Sequence, residues 1–345
     1  MLTQLESTNV INYGLPEGYA LRPATLGDLP EAVEMFNAYS RQLIGVDDIV
    51  LENYRAEWTV PVLKIENDIR VVLSPDGRIV GCMEVWDLFD PHTRINVWGR
   101  VHPYHQGRGI ATAMLRWAEG RARQAIARAP QEARVAMLSW VNNLDTAAQS
   151  AFRRAGFNLI RHSYRMRIDM NGMPPLPVWP DGITARTFVP GQDDRATVEC
   201  DRDAFRDHWG FIERPFEDDM KMFQHFMYGP DSDLSLCFLA MDGDRIAGIA
   251  LCRPKIDDEP DMGWVDDLGV RREYRRKGLG LALLHHAFGE FYRRGKRKVG
   301  LGVDASSLTG ATRLYERAGM HVYRQFNTFE KELRAGVELS TQTVA

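Results

Sequence analysis

Two short turns in this sequence have the residue types of an anion cradle. Gln106-Gly107-Arg108-Gly109-Ile110-Ala111 and Arg275-Arg276-Lys277-Gly278-Leu279-Gly280 each follow a β-branched segment ending in valine and open an apolar periodic run. Glycine tolerates left-handed backbone angles and leaves no Cβ between the amides and a ligand. Successive N–H groups then face one concavity at a helix N-terminus, where the macrodipole favours negative charge. Such a turn expects a phosphate or pyrophosphate. Neither turn has the GxxxxGK(S/T) spacing of a P-loop, and neither supplies the full GxGxxG of a dinucleotide site.

The turns belong to a longer repeat. Pro16 to Arg22 returns as Pro180 to Arg186, Asp76 to Gly81 as Asp244 to Gly248, Val101 to Ala111 as Val270 to Gly280, and Phe152 to Phe157 as Tyr315 to Met320. The order is kept and the offset stays at roughly 165 residues, too long for a solenoid unit and right for a globular domain. Between the copies, Asn171 to Gly182 carries Pro174, Pro175, Pro177 and Pro180, which forbid a continuous helix or central strand. The expected division is 1–172, a Pro-rich linker at 173–180, a second copy at 181–334 and a polar tail at 335–345.

Each copy reads as mixed α and β. Ala24 to Tyr39 has helical spacing after a Thr25/Asp28 start, and Arg70 to Leu73 with Ile79 to Trp86 form strands around a Pro-Asp-Gly turn. A helix is predicted over Ile110 to Ala129 and a strand over Val135 to Val141. In the second copy Leu236 to Met241 and Arg245 to Cys252 read as a hairpin, Trp264 to Val270 as a strand, Leu279 to Tyr292 as a helix and Val299 to Val303 as a strand. Strand, glycine turn, helix, strand is a crossover, so the flanking strands should be parallel neighbours.

Composition bounds the function classes. The 345 residues are 44% hydrophobic and 26% charged, normal for globular domains, and 43 Lys plus Arg against 47 Asp plus Glu argue against a nucleic-acid-packaging protein. Cys82, Cys200, Cys237 and Cys252 lack the paired spacing of a metal or redox motif and read as reduced structural thiols. No long apolar run or leader-like N-terminus is present, so a soluble, cytoplasmic protein without a bound metal is expected.

At the two turns the sequence resembles the GNAT (GCN5-related N-acetyltransferase) superfamily, whose acetyl-CoA signature is (Q/R)xxGx(G/A). The resemblance covers nearly the whole chain. It implies an α/β (α+β) fold of two tandem GNAT domains, each a mixed, mostly antiparallel sheet with flanking helices, splayed between its fourth and fifth strands to admit the cofactor. It further implies that the backbone at 106–111 and 275–280 holds the CoA pyrophosphate. Leu268-Gly269-Val270, with Arg100-Val101 in the first copy, would pair with pantetheine, and the Val270 N–H would face the oxyanion.

Amide formation from a thioester needs an amine that loses a proton, a donor for the oxyanion and an acid for the thiolate. The family commonly places a tyrosine acid in a pattern like AxxLYxxxGF. Ala311 to Met320 fits with Tyr315, whereas the first copy has Phe152 there. Family bases often lie on the fourth strand. Strand alternation puts Trp264, Asp266, Leu268 and Val270 on one face, which favours Asp266 as base with Asp267 shaping the amine site. The copy-one equivalents, Val97 and Trp98, cannot ionise.

Asp203, His208 and Trp209, between the first two helices of copy two, are candidates for holding the amine. The basic run from Arg271 to Lys277 is accounted for by CoA phosphates rather than nucleic acid. The expected function is acetyl-CoA-dependent acetylation of a small primary amine by direct transfer in a ternary complex at the second copy. A peptide N-terminal acetyltransferase and a CoA-binding pseudoenzyme stay open, and a homodimer is compatible with the sequence.

Overall fold

Strand Ile79–Trp86 buries nearly every residue on both faces, because helices cover both sides of its sheet. The computed structural model describes residues 13–343; the start of the 1–172 span and the end of the 335–345 tail lie outside it. In the first copy β1 (Ala20–Pro23), α1 (Leu29–Ile44), α2 (Leu51–Trp58), α3 (Ile65–Asp68), β2 (Ile69–Leu73) and β3 (Ile79–Trp86) come first. Then follow β4 (Arg94–Val101), α4 (Ile110–Ala122), β5 (Val135–Asn142), α5 (Thr146–Arg154) and β6 (Asn158–Asp169). The second copy opens with β7 (Ile183–Thr187), α6 (Asp194–Phe205), α7 (Phe216–Met227), β8 (Phe238–Asp242) and β9 (Arg245–Arg253). It continues through β10 (Met262–Val270), α8 (Leu279–Arg293), β11 (Lys298–Asp304), α9 (Ala311–Arg317) and β12 (His321–Arg334).

Both hairpins and both parallel crossovers fall where the sequence places them. The helix expected to reach Ala129 is α-helical only to Ala122 and tightens into a 3-10 turn over Arg123–Ala127, just before Pro130. A proline disfavours helical angles in the residue ahead of it. No helix among the described residues is long and apolar enough to cross a membrane.

The strands form one 12-stranded sheet in the order β1-β2-β3-β4-β5-β12-β6-β11-β10-β9-β8-β7. That order is a pseudo-twofold, and its centre is an exchange. β12 lies between β5 and β6, pairing antiparallel with both, and β6 in turn pairs antiparallel with β11. The final strand of each sequence copy therefore completes the sheet of the other. The cores follow the exchange: Phe329 of β12 is fully buried among first-copy residues such as Met114, Phe152 and Phe157. Met166 of β6 is buried with Leu283, Phe288 and Tyr315 of the second.

Phe329 stacks on Phe152 at 5.9 Å between ring centroids. Phe329→Ala should cost about 3–5 kcal/mol. Denaturant unfolding followed by a probe in the first copy is expected to register this loss, although residue 329 belongs to the second.

Candidate active site

Both turns have the backbone an anion cradle requires. Gly109 and Gly278 are the N-caps of α4 and α8, each at φ 86° and ψ −4°. The preceding left-handed position is Gly107 at φ 75° in the first copy and Arg276 at φ 61° in the second. Holding a non-glycine residue there costs about 1–2 kcal/mol. A Cβ added at Gly107, Gly109 or Gly278 would meet nothing within 4 Å, so the space over the amides is open. Ile110 and Leu279 bury their side chains, leaving only backbone groups to face a ligand.

Beside each turn the sheet parts. β4 pairs with β5 only over Arg94–Asn96, and β10 with β11 only over Met262–Val265. Beyond these residues the strand edges lack partners in that direction. The Arg271 N–H bonds the Ala247 carbonyl, and the His102 N–H bonds the Val80 carbonyl. By antiparallel alternation, the N–H groups of Val270 and Val101 point the other way, into the gaps.

The first signature residue fastens the turn. Arg275 donates to the Val270 carbonyl at 3.1 Å and the Ala204 carbonyl at 2.8 Å, and it meets Asp207 at 2.6 Å. Gln106 donates to the Val101 carbonyl at 3.4 Å, the same attachment in copy one. Arg272 also grips Asp207, and its hydrogen bonds with those of Arg275 hold that buried carboxyl well below the usual range. Asp207 carried no sequence signal, because its partners are folded against it from the other end of the copy. The last signature residue must be small for packing, since a Cβ at Gly280 would sit 3.1 Å from Leu314. Gly269 likewise makes room for Ala204 on α6.

Arg276 and Lys277 are exposed. Arg276 borders an open depression of about 780 Å³ together with Arg313 and Arg317, two cations that sequence reading missed. In the first copy Val101, Gln106, Gly107, Gly109, Ile110 and Ala111 line a cavity of about 470 Å³, while Arg108 stands exposed outside it.

The second copy differs from the first on its fourth strand. β3 and β4 pair without interruption, but β9 and β10 shift register between Val265 and Asp267. Asp266 is the extra residue of a β-bulge, a device that re-aims side chains. This overturns the alternation expected from sequence: Leu268 and Val270 join Val265 against the α8 side, with Trp264 packed in a different cluster beside Tyr323.

Asp266 and Asp267 line one cavity of about 660 Å³ between α6, α7 and β9, and Asn53, Ala56 and Glu57 of α2 form part of its wall. Desolvation raises Asp266 to about 7 although its side chain is still 36% exposed, against the pull of Arg253, which pairs with it at 2.8 Å. Burial also raises Asp267. Asp201 on the same wall is raised by burial and by the Asp267 charge, so these two resist ionising together. An Asp201 carboxylate oxygen is buried without a hydrogen-bond partner. Glu57 is raised to about 7 by burial and by the charge of Glu84. Tyr315 is 7% exposed, and burial together with the Asp267 charge pushes its hydroxyl up to about 12.

The cavity wall includes Cys237 and Cys252. Burial pushes Cys237 up to about 12 and Cys252 well above its ordinary value. Buried thiols of this kind are poor nucleophiles.

Three predicted amine-site residues lie elsewhere. Asp203 pairs with Arg206 at 2.8 Å, and His208 packs on Phe205 with centroids 4.4 Å apart. Trp209 reaches into a first-copy cavity, where Arg94 and Arg161 stack on its ring at 4.4 and 4.8 Å. The loop after α6 thus serves the opposite copy, a crossing that local sequence does not encode.

Residues 199–320 match the Acetyltransferase (GNAT) family and residues 66–159 the Acetyltransferase (GNAT) domain. A mycothiol acetyltransferase of Streptomyces avermitilis is 30% identical over 270 residues, covering 76% of this chain and 78% of that protein. The chain belongs to the GNAT acetyltransferase family. The Streptomyces coelicolor mycothiol acetyltransferase is 31% identical over 74% of this chain and 77% of its own length. A solved GCN5-related N-acetyltransferase from Sphaerobacter thermophilus is 34% identical with a TM-score of 0.77, covering 95% of this chain and 100% of that one. A tandem GNAT protein from the clavulanic acid biosynthesis pathway shares the fold at 17% identity and a TM-score of 0.70, covering 92% and 100%.

The protein is thus an N-acetyltransferase of tandem GNAT architecture, and GNAT enzymes use acetyl-CoA as co-substrate. The open space above the two glycine turns fits that group. Gln106 makes only the strand-carbonyl bond among the three that Arg275 makes, so Arg275→Gln should raise the acetyl-CoA KM less than Arg275→Ala does. Arg275→Ala should raise it about tenfold, the equivalent of one lost charge-assisted hydrogen bond. Steady-state kinetics on the two variants checks this.

Proposed function

We propose that this enzyme acetylates a small primary amine by direct transfer in a ternary complex at its second copy. The observation that carries the reading is the carboxylate group on the β10 bulge. Asp266, Asp267 and Asp201 line one cavity, with proton affinities raised by desolvation, and the Asp267 charge is felt by Tyr315. A base works best when its pKa lies near the working pH.

The acetyl group arrives as a thioester held by the 275–280 turn. Asp267 is the better base of the pair, because Asp266 is tied to Arg253 while no ion pair of Asp267 is formed among the described residues. Asp266 then holds the Arg253 charge beside the incoming ammonium. The Val270 N–H, aimed into the gap, stabilises the oxyanion. Tyr315 stays protonated at neutral pH and gives its proton to the departing thiolate. Direct transfer agrees with the suppressed reactivity of Cys237 and Cys252.

α2 walls one side of this cavity of about 660 Å³, which supports a small acceptor over a peptide in an open-ended groove. The name of the mycothiol acetyltransferase relatives makes their acceptor a natural member of the amine panel. CoA release with that panel tests the reading, and its absence with every amine would leave a CoA-binding pseudoenzyme.

A base accepts a proton only when ionised. kcat/KM should therefore rise with pH through the carboxylate ionisation, near pH 7 if Asp266 dominates and lower if Asp267 does. Asp267→Asn should lower kcat by about 10²–10⁴ and remove that acidic limb. Tyr315→Phe should lower kcat far more than it changes the acetyl-CoA KM. Gly278→Asp should abolish turnover on the small amine, whereas Gly109→Asp should leave most of it. A pH–rate series on the four variants reads each outcome.

A further inference from the structure

In the first copy three cavities share walls between the cradle and a large chamber. The cradle cavity of about 470 Å³ shares Gly99, Arg100, Asp145 and Phe152 with a smaller one of about 200 Å³ at the β4–β5 gap. The smaller cavity in turn shares Asp48, Trp98, Arg100 and Trp140 with a chamber of about 890 Å³. Arg100 lines all three, paired with Asp48 at 2.6 Å, so a thioester reaching from cradle to chamber would pass beside that ion pair.

Besides the Asp48–Arg100 pair, the walls carry Asp145 and Glu84, which the mechanism above does not use. Asp145 is 6% exposed and caps α5, with Oδ1 accepting the Ala148 N–H at 2.8 Å. Its Oδ2 is buried with no hydrogen-bond partner. Leaving such an atom unpaired costs about 1–3 kcal/mol, which a protonated carboxyl facing an acceptor would recover. Burial raises the Asp145 pKa, so the proton is held more tightly than in water. The second group is Glu84, 1% exposed on the chamber wall. It accepts from Tyr54 Oη at 2.6 Å, Trp58 Nε1 at 2.7 Å and Trp86 Nε1 at 2.9 Å. Burial outweighs these donors and raises its pKa as well.

Position-by-position comparison of the copies hides both groups. Phe152 occupies the place of Tyr315, but Asp145 stands at the start of the same helix and shares two cavity walls with Phe152. Glu84 lies on the third strand rather than the fourth. The chamber walls carry Trp86, Trp98, Trp140 and Trp209. Arg94 and Arg161 already cover Trp209 and Arg100 covers Trp98, so Trp86 and Trp140 are the indoles left to stack on an aromatic acceptor.

We propose that the first copy is a second acetyl-transfer centre, which acetylates an aromatic primary amine held among these indoles, with Glu84 as base and Asp145 as acid. This rests on the reading that the 106–111 turn, like 275–280, takes acetyl-CoA. Glu84 removes one proton from the ammonium, and the freed nitrogen lone pair forms the C–N bond to the acetyl carbonyl carbon. The C–S bond breaks, its electron pair leaves on sulfur, and the thiolate takes the Asp145 proton. The second ammonium proton leaves with solvent, and solvent exchange restores Glu84 and Asp145.

The test uses the full chain carrying Asp267→Asn and Tyr315→Phe, which disable the second copy. Tryptamine-dependent release of CoA thiol is expected to persist in this background. It should fall at least about 100-fold on adding Asp145→Asn, which keeps the helix cap but cannot donate the proton. Glu84→Gln should cause a comparable loss, with thermal unfolding confirming that both variants are folded. No tryptamine acetylation in the background, or rates untouched by Asp145→Asn, would overturn the proposal. Undiminished acetylation of small aliphatic amines in the same background would instead sink the second-copy mechanism, so the two failures are separable.

Discussion

The molecule's ligand chemistry depends on two parallel strand pairs that stop too soon. β4 and β5 stay paired for three residues and β10 and β11 for four. Backbone N–H and C=O groups left unpaired in a protein interior are expensive, so a sheet does not part in its middle without a use for the exposed edge. A ligand with amides of its own can complete that edge. The glycine turns stand beside these gaps, each capping a helix with open space over its amides. Everything chemical then has to be assembled around the ligand's reactive end.

The two copies assemble it differently while keeping the cradle the same. Their N-cap glycines share identical backbone angles, yet only the second copy interrupts its fourth strand with a bulge. One inserted residue places two carboxylates where the first copy packs Val97 and Trp98. The first copy instead brings Glu84 from the neighbouring strand and Asp145 from a helix cap. Burial supplies the common physics, since carboxyl groups taken out of water hold their protons more tightly wherever they sit on the fold.

What could be read from the sequence was what is local. The hairpins, crossovers and glycine turns follow from short-range patterns, and the structure has them within a few residues. The bulge did leave a local trace: Val265-Asp266-Asp267-Leu268 sets two polar residues between apolar ones, a break in period-two alternation that an unbroken strand would not show. Asp207 escaped because its meaning lies in Arg272 and Arg275, some 65 residues away. Trp209 was assigned to its own copy because sequence offers no hint that a loop crosses to the other. The Arg275 side chain turns its donors inward to strap the cradle to the strand, a contact that the signature spacing alone does not show.

The exchange of β6 and β12 carries a historical implication. A chain that duplicated after its ancestor already folded as a self-sufficient monomer would have no reason to trade strands between halves. An ancestor that formed a strand-swapped pair, each subunit closing the sheet of its twin, would pass that arrangement on when its gene doubled and fused. The Pro-rich stretch at 173–180 then marks the seam of that fusion, and the pseudo-twofold between β12 and β6 is the fossil of a true symmetry axis. Once the halves were joined, each could drift without its twin changing in step. That freedom let one fold come to carry two unlike sets of desolvated carboxyl groups.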